Sequence, residues 1–358
     1  MITNQDKSKR GLTTPRILIT GGLGFVGSNL AINFLEKGYD VILFDDLSDL
    51  TGGAVKNRAY LTEKYKTALN KGRLKLVLED IRNLEALKKA MKDVDIVIHT
   101  AAQVAMAYSL KDPKSDFEAN ALGSFNVLEA ARTSASDPIM GYTSTNKVYG
   151  TLDNIPLVEK ATRWDYTKNS RYYAGITENH PMAIGGPYGC SKAVGDLYFR
   201  EYARTFGMKT FVFRLSATYG ELQYTTEVHG WVGWILKRAY AHKPINIFGD
   251  GKQVRGVLHV SDLVRAFEAA IKNINKTRGH AFNIGGDREN SLSILELLQL
   301  LKTKFNIEPS KIQYLDWRKI DQKCYIANCK KAHESFGWKP TVPKEEGIEK
   351  MYNWVRSA

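Results

Sequence analysis

Two side chains with complementary acid–base chemistry lie four residues apart, Tyr188 and Lys192. On a helix this spacing brings both side chains to one face. A phenol has a pKa of about 10, and a nearby ammonium favours its ionised form. We therefore expect Lys192 to lower the pKa of Tyr188, so that the phenolate can remove a proton from a substrate hydroxyl. Thr145, at the end of an apolar run, would hydrogen-bond the reacting oxygen and orient it.

A glycine-rich turn near the start of the chain provides a second element of chemistry. Gly21, Gly24 and Gly27 follow the apolar run 16–20 and precede a helix-like stretch that includes Phe25 and Val26. Glycines let backbone amides approach a pyrophosphate, and the helix N-terminus adds partial positive charge. This turn predicts a dinucleotide site.

The acid after the next apolar run indicates which dinucleotide binds. Asp45 and Asp46 follow the run 41–44, and no arginine comes immediately after them. A carboxylate at this place accepts hydrogen bonds from the adenosine ribose and repels a 2′-phosphate. NAD is therefore favoured over NADP. Further cofactor contacts are expected where the third and fourth strands end, at Asp80, Ile81, Thr100, Ala101 and Ala102.

A parallel sheet is needed to bring these segments together. Short apolar runs alternate with amphipathic stretches through the first two thirds of the chain, which is typical of βα units. This pattern predicts an α/β fold, a doubly wound parallel Rossmann-type sheet with a smaller C-terminal substrate lobe. The predicted strands are 16–20, 41–44, 74–78, 95–98, 139–143 and 209–213, and the predicted helices are 25–37, 83–91, 114–133 and 187–206.

The domain organisation follows from the same pattern. We expect residues 15–216 to form the NAD-binding domain, with 257–285 returning to it, and residues 217–256 and 286–358 to form the substrate lobe. The polar residues 1–14 are predicted to be a flexible leader without a signal peptide. The stretch 150–187 has little periodicity, which indicates a functional loop.

Taken together and in this order, the glycine turn, Asp45, Thr145 and the Tyr188–Lys192 pair resemble the extended short-chain dehydrogenases over nearly the whole chain. The resemblance implies that Tyr188, Lys192 and Thr145 are catalytic and that Tyr188, Lys192 and Asn120 also contact the cofactor. It also implies that the positive nicotinamide ring, together with Lys192, favours the phenolate of Tyr188.

A closer resemblance separates the reactions within this group. Sugar 4,6-dehydratases typically carry an Asp-Glu pair after the residue corresponding to Thr145, because eliminating water needs an additional acid and base. Here Asn146 and Lys147 occupy those positions, so dehydration is disfavoured. The segment 144–150, together with 187–192 and 229–234, is similar to the CDP-paratose 2-epimerases, also called CDP-tyvelose epimerases. That family implies oxidation at carbon 2 by bound NAD, turning of the keto-sugar and return of the hydride to its other face.

The resemblance also implies a set of substrate contacts. Arg255 and Arg318, with Asp321, resemble positions that hold the diphosphate and ribose of a sugar nucleotide, and a guanidinium fork matches phosphate oxygens. The remaining predicted contacts are Asn146, Lys147, His180 and Trp231. His229 stands where relatives have glutamine, and Gly256 where extended members often have aspartate. The base and the sugar therefore stay open, on CDP or GDP.

Two alternative functions are kept. A nucleotide-sugar 4-epimerase would use the same catalytic residues, and a non-catalytic dinucleotide sensor or RNA-binding protein would use the fold alone. The net charge is +13, but lysines around 56–75 have no aromatic stacking partners, so we expect no nucleic-acid partner.

The composition constrains the setting of the protein. No apolar run approaches membrane-spanning length, and the three cysteines form no CxxC pair, so we expect a cytoplasmic protein without a membrane or metal site. Cys190 is expected to pack in the interior. By analogy with the family, helices 114–133 and 187–206 would form a homodimer contact.

Overall fold

Seven short apolar segments pair side by side into one parallel sheet in the computed structural model, which describes residues 14–357. The predicted leader, 1–14, therefore lies outside the described residues except for Thr14. The strands of the protein are β1 (Arg16–Thr20), β2 (Asp40–Phe44), β3 (Leu74–Val77), β4 (Ile96–His99), β5 (Ile139–Thr145), β6 (Leu157–Glu159), β7 (Trp164–Tyr166), β8 (Lys209–Leu215), β9 (Ala217–Tyr219), β10 (Ile245–Phe248), β11 (Val254–His259), β12 (Ala281–Ile284), β13 (Ser291–Ser293), β14 (Ile312–Leu315) and β15 (Cys324–Tyr325).

The order of strands in the large sheet fixes where a ligand can bind. The strands run β12-β8-β5-β4-β1-β2-β3, and all of their pairings are parallel. The chain order reverses between β1 and β4. In sheets of this kind, ligands bind in the crevice outside the carboxyl ends of the strands at that reversal.

The helices cover both faces of this sheet and build the second lobe. They are α1 (Phe25–Glu36), α2 (Gly53–Lys64), α3 (Lys66–Asn70), α4 (Leu84–Ala90), α5 (Met106–Lys111), α6 (Pro113–Phe117), α7 (Gly123–Arg132), α8 (Gly186–Thr205), α9 (Trp231–Tyr240), α10 (Val260–Lys272), α11 (Ile274–Thr277), α12 (Ile294–Phe305), α13 (Lys330–Phe336) and α14 (Lys344–Ser357). A π-helical turn, Glu118–Leu122, joins α6 to α7, and a 3-10 turn, Asn146–Tyr149, follows β5.

The alternation of side chains along β1 shows why the sheet is doubly wound. Ile17 and Ile19 pack into the core that contains Phe34 of α1 and Phe267 of α10. Leu18, between them, packs into the opposite core. Because successive residues of a strand point to opposite faces, a continuously apolar strand must be covered on both sides. The predicted α/β Rossmann-type fold is confirmed.

Several observed elements were not predicted, among them α5, and two predicted segments have a different structure. The predicted helix 114–133 is divided, because the π-helical turn interrupts the α-helical hydrogen bonding between α6 and α7. The predicted loop 150–187 contains the antiparallel pair β6 and β7. Strands of three residues are too short to show a periodic pattern.

The second lobe has a core of its own. It is built from α9, α12, α14 and β10, with Leu236, Ile247 and Met351 completely buried or nearly so. The segment 257–285, expected to return to the first domain, contributes β12 at the edge of the large sheet and α10 against α1. Within residues 14–357, every helix is too short or too polar to cross a membrane.

Candidate active site

A cleft of about 640 Å³ lies along the carboxyl ends of β1, β2, β4 and β5, at the strand reversal. Its size is in the usual range for ligand sites. Most of the predicted site residues line this cleft, and they are Gly21, Gly24, Phe25, Val26, Asp45, Asp46, Asp80, Ile81, Thr100, Ala101, Ala102, Thr145, Asn146, Lys147, Tyr188, Lys192, Trp231 and Arg255.

The glycine turn is shaped by close packing of its backbone. Gly21 has a positive φ of 64°, and a Cβ built on it would lie 2.6 Å from the amide nitrogen of Ala101. A Cβ on Gly27 would overlap the carbonyl oxygen of Gly21, so Gly27 lets α1 approach the turn without lining the cleft itself. Gly24 caps α1 without a side-chain hydrogen bond, which leaves amides of the first helical turn available to an anion.

Asp45 is held in place by the turn that it faces. One oxygen of its carboxylate accepts a hydrogen bond from the Leu23 amide at 3.0 Å, and the other accepts one from the Leu47 amide at 2.9 Å. Burial raises the pKa of Asp45, and these two amides oppose that effect. Asp46 accepts hydrogen bonds from the amide and hydroxyl of Ser48. The carboxylate of Asp45 is therefore pre-positioned at the cleft wall, and its contact with a ribose stays a prediction.

Residues after β3 and β4 complete this side of the cleft. Asp80 accepts hydrogen bonds from the backbone and guanidinium of Arg82, which lower its pKa against the effect of partial burial. Arg82 also lines the cleft, and its guanidinium forms ion pairs with Asp80 and Glu118. Thr100 donates from its hydroxyl to the carbonyl of Thr20 at 2.7 Å.

Asn120 lies behind the cleft and is fully buried. It accepts a hydrogen bond from the Gln103 amide at 2.9 Å and donates to Asp116 and Ser191. It does not line the cleft, so the structure gives it a supporting position beneath the wall in place of the predicted cofactor contact.

The catalytic candidates converge where β5 meets α8. Thr145 is the last residue of β5, and Tyr188 and Lys192 lie one turn apart on α8. Both Thr145 and Tyr188 line the cleft, and the Thr145 hydroxyl lies near enough to Tyr188 to lower the pKa of its phenol. Lys192 is 2% exposed, and its Nζ lies 4.4 Å from the centroid of the Tyr142 ring. The phenol of Tyr142 in turn donates to the Lys192 carbonyl at 3.2 Å, which fixes the start of this helical segment against β5.

Burial dominates the titration of the two acid–base groups. Burial raises the pKa of Tyr188 to about 12, although the neighbouring Thr145 hydroxyl lowers it. Burial also lowers the pKa of Lys192 to about 7, against the attraction of Asp116 and Asp196. In the protein alone, removal from water therefore raises the pKa of Tyr188, whereas the expected lowering includes a bound nicotinamide ring beside Lys192 and stays a prediction.

A cationic cluster forms the opposite wall, next to Thr145. The Nζ of Lys147 lies 3.3 Å from Oδ1 of Asp321, and Nη2 of Arg255 lies 2.6 Å from the same oxygen. Asn146 donates from its amide to Oε1 of Gln322 at 2.7 Å. Asp321 is thus a support for two cleft cations and does not itself line the cleft.

Two other predicted substrate contacts lie outside the cleft. His180 packs edge-on against the rings of Tyr149 and Tyr172, with centroids 6.0 and 5.6 Å away. Arg318 lies over the Phe248 ring at 3.9 Å and donates to the carbonyl of Glu227. His180 is therefore placed by aromatic packing, whereas Arg318 adjoins the cluster around Asp321.

Sequence reasoning missed an entire wall, residues 217–231. Within the described chain, this wall has buried side-chain polar atoms without a hydrogen-bond partner, on Thr218, Gln223, Thr226, His229 and Trp231. The only earlier indications were Trp231 and the resemblance of 229–234 to a family segment. Asn57 of α2 also lines the cleft, and its amide donates to the carbonyls of Leu23 and Leu222.

Cys190 is exposed, and the prediction that it packs in the interior is wrong. Its neighbours Gly189 and Ser191 are buried, so Cys190 occupies the solvent side of the same helical turn.

The residues present fit a dinucleotide, because the glycine cradle, uncapped helix start and acidic residue all face one cleft.

Comparison with known proteins agrees with this geometry. The model of a family described as GDP-mannose 4,6 dehydratase matches residues 18–351. The chain is 41% identical to the CDP-paratose 2-epimerase of Salmonella typhi, over 96% of this chain and 99% of the relative. Among solved structures, UDP-glucose 4-epimerase of Thermotoga maritima with UDP-glucose has a TM-score of 0.77 at 28% identity, covering 96% of this chain and 99% of that one. UDP-glucuronic acid 4-epimerase of Bacillus cereus with UDP-glucuronic acid and NAD has a TM-score of 0.78 at 25% identity, with the same coverage.

Proposed function

Since the chain belongs to the GDP-mannose 4,6-dehydratase family, we propose that it is an NAD-dependent nucleotide-sugar epimerase that inverts carbon 2 of a CDP- or GDP-linked hexose. The observation that carries this proposal is the arrangement of Thr145, Tyr188 and Lys192 at a dinucleotide cleft whose adjoining positions hold Asn146 and Lys147. The similarity to a CDP-paratose 2-epimerase over almost the full length supports the same reaction.

NAD, held by the glycine turn and Asp45, would supply the hydride-transfer chemistry at the sugar carbon. The protein's own task is to move the hydroxyl proton. The positive nicotinamide ring and the Lys192 ammonium would together offset the burial that raises the pKa of Tyr188, so that the phenolate accepts this proton and later returns it. Thr145 holds the reacting oxygen through its hydroxyl. Lys192, with its pKa lowered to about 7 by burial, is close to half protonated at neutral pH and can exchange a proton with the phenol site.

The neutral Asn146 distinguishes this site from one that eliminates water. An amide neither donates a catalytic proton nor accepts one. Here the Nδ2 of Asn146 donates a hydrogen bond to Oε1 of Gln322 at 2.7 Å. Elimination would need an additional acid and base on the sugar, and no carboxyl group occupies either position after Thr145. A reversible oxidation that ends in inversion needs only the proton carrier.

The test of this function is a product analysis. Purified enzyme is incubated with CDP- and GDP-linked hexoses in deuterated water, and the product's ring coupling constants are measured by NMR. We expect inversion at carbon 2 with the original hydrogen retained, because the hydride returns from the same bound cofactor. Inversion at carbon 4 would support the alternative 4-epimerase, which the similarity to 4-epimerase structures favours. No turnover, together with salt-dependent RNA binding, would support the non-catalytic alternative.

We also propose that the enzyme is a cytoplasmic homodimer that pairs through α7 and α8. Apolar side chains are exposed along these helices and the turn before α7, among them Leu122, Phe125, Leu197 and Tyr198. Phe125 and Tyr198 meet edge to face with centroids 5.8 Å apart, so they form one patch. A contiguous exposed apolar patch of this kind is typical of an interface.

Leu197→Glu is expected to convert the dimer to monomers, because a carboxylate buried in an apolar interface has no partner. The molar mass is measured by light scattering after gel filtration. Val55→Glu is the matched control, since Val55 is 54% exposed on α2, away from this patch. A monomeric wild type, or an unchanged dimer in Leu197→Glu, contradicts the assignment.

A further inference from the structure

Lys147 occupies the place next to the catalytic threonine at which dehydratases carry a glutamate. We propose that Lys147 holds the diphosphate of the nucleotide sugar beside Thr145 and thereby presents carbon 2 of the sugar, instead of carbon 4, to Tyr188. This inference rests on the proposed function and names the residue that determines which carbon reacts.

The backbone fixes Lys147 relative to the reacting groups. The amide of Lys147 donates to Oγ1 of Thr145 at 3.2 Å, and Thr145, Lys147 and Tyr188 all line the same cleft. Any ligand group held by the side chain of Lys147 therefore lies within one lysine side-chain length of the Thr145 hydroxyl. The side chain lines the cleft and is 14% exposed, so its charge is directed into a partly dry space.

The charges around Lys147 are unbalanced. Lys147, Arg255 and Arg318 are grouped around a single carboxylate, Asp321, which Lys147 and Arg255 approach through the same oxygen. Glu227 adjoins Arg318 but accepts a hydrogen bond from Asn246 at 2.8 Å. Uncompensated cations in a cleft favour a multiply charged anion, and a diphosphate meets that requirement.

The place at which the diphosphate is attached to the sugar relates the position of Lys147 to the carbon that reacts. Carbon 2 is bonded directly to the anomeric carbon that carries the diphosphate, whereas carbon 4 lies across the ring from it. A cation next to Thr145 therefore pulls the anomeric end of the sugar toward Tyr188. A glutamate at the same position would repel the diphosphate and would instead face the far end of the sugar, where elimination takes place.

Binding and product analysis of matched variants test the proposal. Lys147→Met removes the charge at similar length, Lys147→Arg retains it, and Lys311→Met removes an exposed lysine elsewhere as the control. Loss of a charge-assisted contact predicts that CDP or GDP binds about tenfold to a hundredfold more weakly to Lys147→Met, as measured by calorimetry. Lys147→Arg and Lys311→Met are expected to stay within about threefold of wild type, which is less than the loss of one such contact.

The position of the ketone gives a readout of regiochemistry. Turnover mixtures are quenched with borodeuteride, and the deuterium at each sugar carbon is measured by NMR. We expect label at carbon 2 in the wild type and in Lys147→Arg. In Lys147→Met the fraction of the label at carbon 2 should fall while that at carbon 4 rises, because the anomeric end is no longer held.

The wild-type protein supplies an independent test that needs no variant. Burial lowers the pKa of Lys147 to about 8, opposed by Asp321 and reinforced by Arg255 and Arg318. Above this pKa the ammonium loses its charge, so the affinity for CDP or GDP should fall between about pH 7.5 and 9.5. Lys192, with a pKa of about 7, titrates below that range.

The outcomes separate the two proposals. A wild type that inverts carbon 2, with unchanged nucleotide affinity and label position in Lys147→Met and a flat pH profile, overturns the role of Lys147 and leaves the function standing. A wild type that binds neither nucleotide, or that inverts carbon 4, overturns the proposed function itself.

Discussion

The two sides of the cleft are built in different ways. On the cofactor side, the turn 21–27 and the residues after β1 to β4 have their shape set by backbone contacts, as with Asp45 between the Leu23 and Leu47 amides. On the opposite side, the wall 217–231 contains buried polar atoms that have no partner within residues 14–357. An unpaired buried polar group costs about 1–3 kcal/mol, so such atoms are retained where a ligand pairs them.

This contrast indicates which side determines specificity. On the cofactor side most polar groups are paired within the protein, with Asn57 and Gln103 as exceptions, and so this side suits a ligand that many relatives share. The wall 217–231 and the cluster around Lys147 have polar groups and charges in excess, which only a particular ligand can satisfy. Tyr188 lies at the junction of the two sides, Gly27 on the cofactor side and His229 in the wall 217–231.

Tyr188→Phe, at the junction, should have the largest effect. Removing the proton carrier is expected to lower kcat by about a thousandfold, the usual contribution of acid–base catalysis. The phenol of Tyr188 lines the cleft and is not part of the apolar core, so the melting temperature and the NAD released on denaturation should match those of the wild type. Activity within tenfold of wild type would remove Tyr188 from its assigned role.

Gly27→Ala tests the cofactor side. A methyl group there would overlap the carbonyl of Gly21, and overpacking of this kind costs about 1–3 kcal/mol. We expect a lower melting temperature and loss of the co-purified NAD, measured in the supernatant after denaturation.

Gly256→Ala is the matched control for Gly27→Ala. A Cβ on Gly256 would meet its nearest atom, the Asp287 carbonyl oxygen, at an ordinary 3.4 Å. Retained NAD in Gly27→Ala, or equal destabilisation in both variants, would mean that backbone packing does not set the cofactor side.

His229→Gln, in the wall 217–231, should have the smallest effect. The backbone of His229 exchanges two hydrogen bonds with Thr226, both at 3.1 Å, and these survive the change. We expect KM for the sugar nucleotide to change by about twofold to fivefold, the size of one neutral hydrogen bond, with NAD content unaltered. Loss of NAD would instead mean that the wall 217–231 binds the cofactor, which contradicts the assignment of this wall to the substrate.

The sequence predicted the cofactor side well, because its features are local. Glycine spacing, a following helix and an acid at the next strand end all lie within a short stretch, and each has one physical reason. The same holds for Tyr188 and Lys192, which share one helix. Six of the seven strands of the large sheet were predicted to within about two residues, since continuously apolar runs mark strands buried on both faces. No strand was predicted at β12, which lies in the segment 257–285 that was expected to return to this domain.

The remaining features depend on contacts distant in sequence. The sequence position of Asn120 predicts a cleft residue. The π-helical turn, and the hydrogen bonds of Asn120 with Gln103 and Ser191, place it behind the wall of the cleft. Asp321 and Lys147 are separated by 174 residues, so their ion pair has no sequence signature. The pKa of Tyr188 depends on burial by the whole fold, which no spacing reveals.

The solvent-facing position of Cys190 has a practical consequence for anyone handling this protein. The chain's other two thiols, Cys324 and Cys329, are buried, and burial raises the pKa of both. An alkylating dye will therefore react with Cys190 in preference to the two buried thiols. Because Cys190 lies about two helical turns before Leu197 on α8, the rate of labelling also reports whether this face is covered in the proposed homodimer.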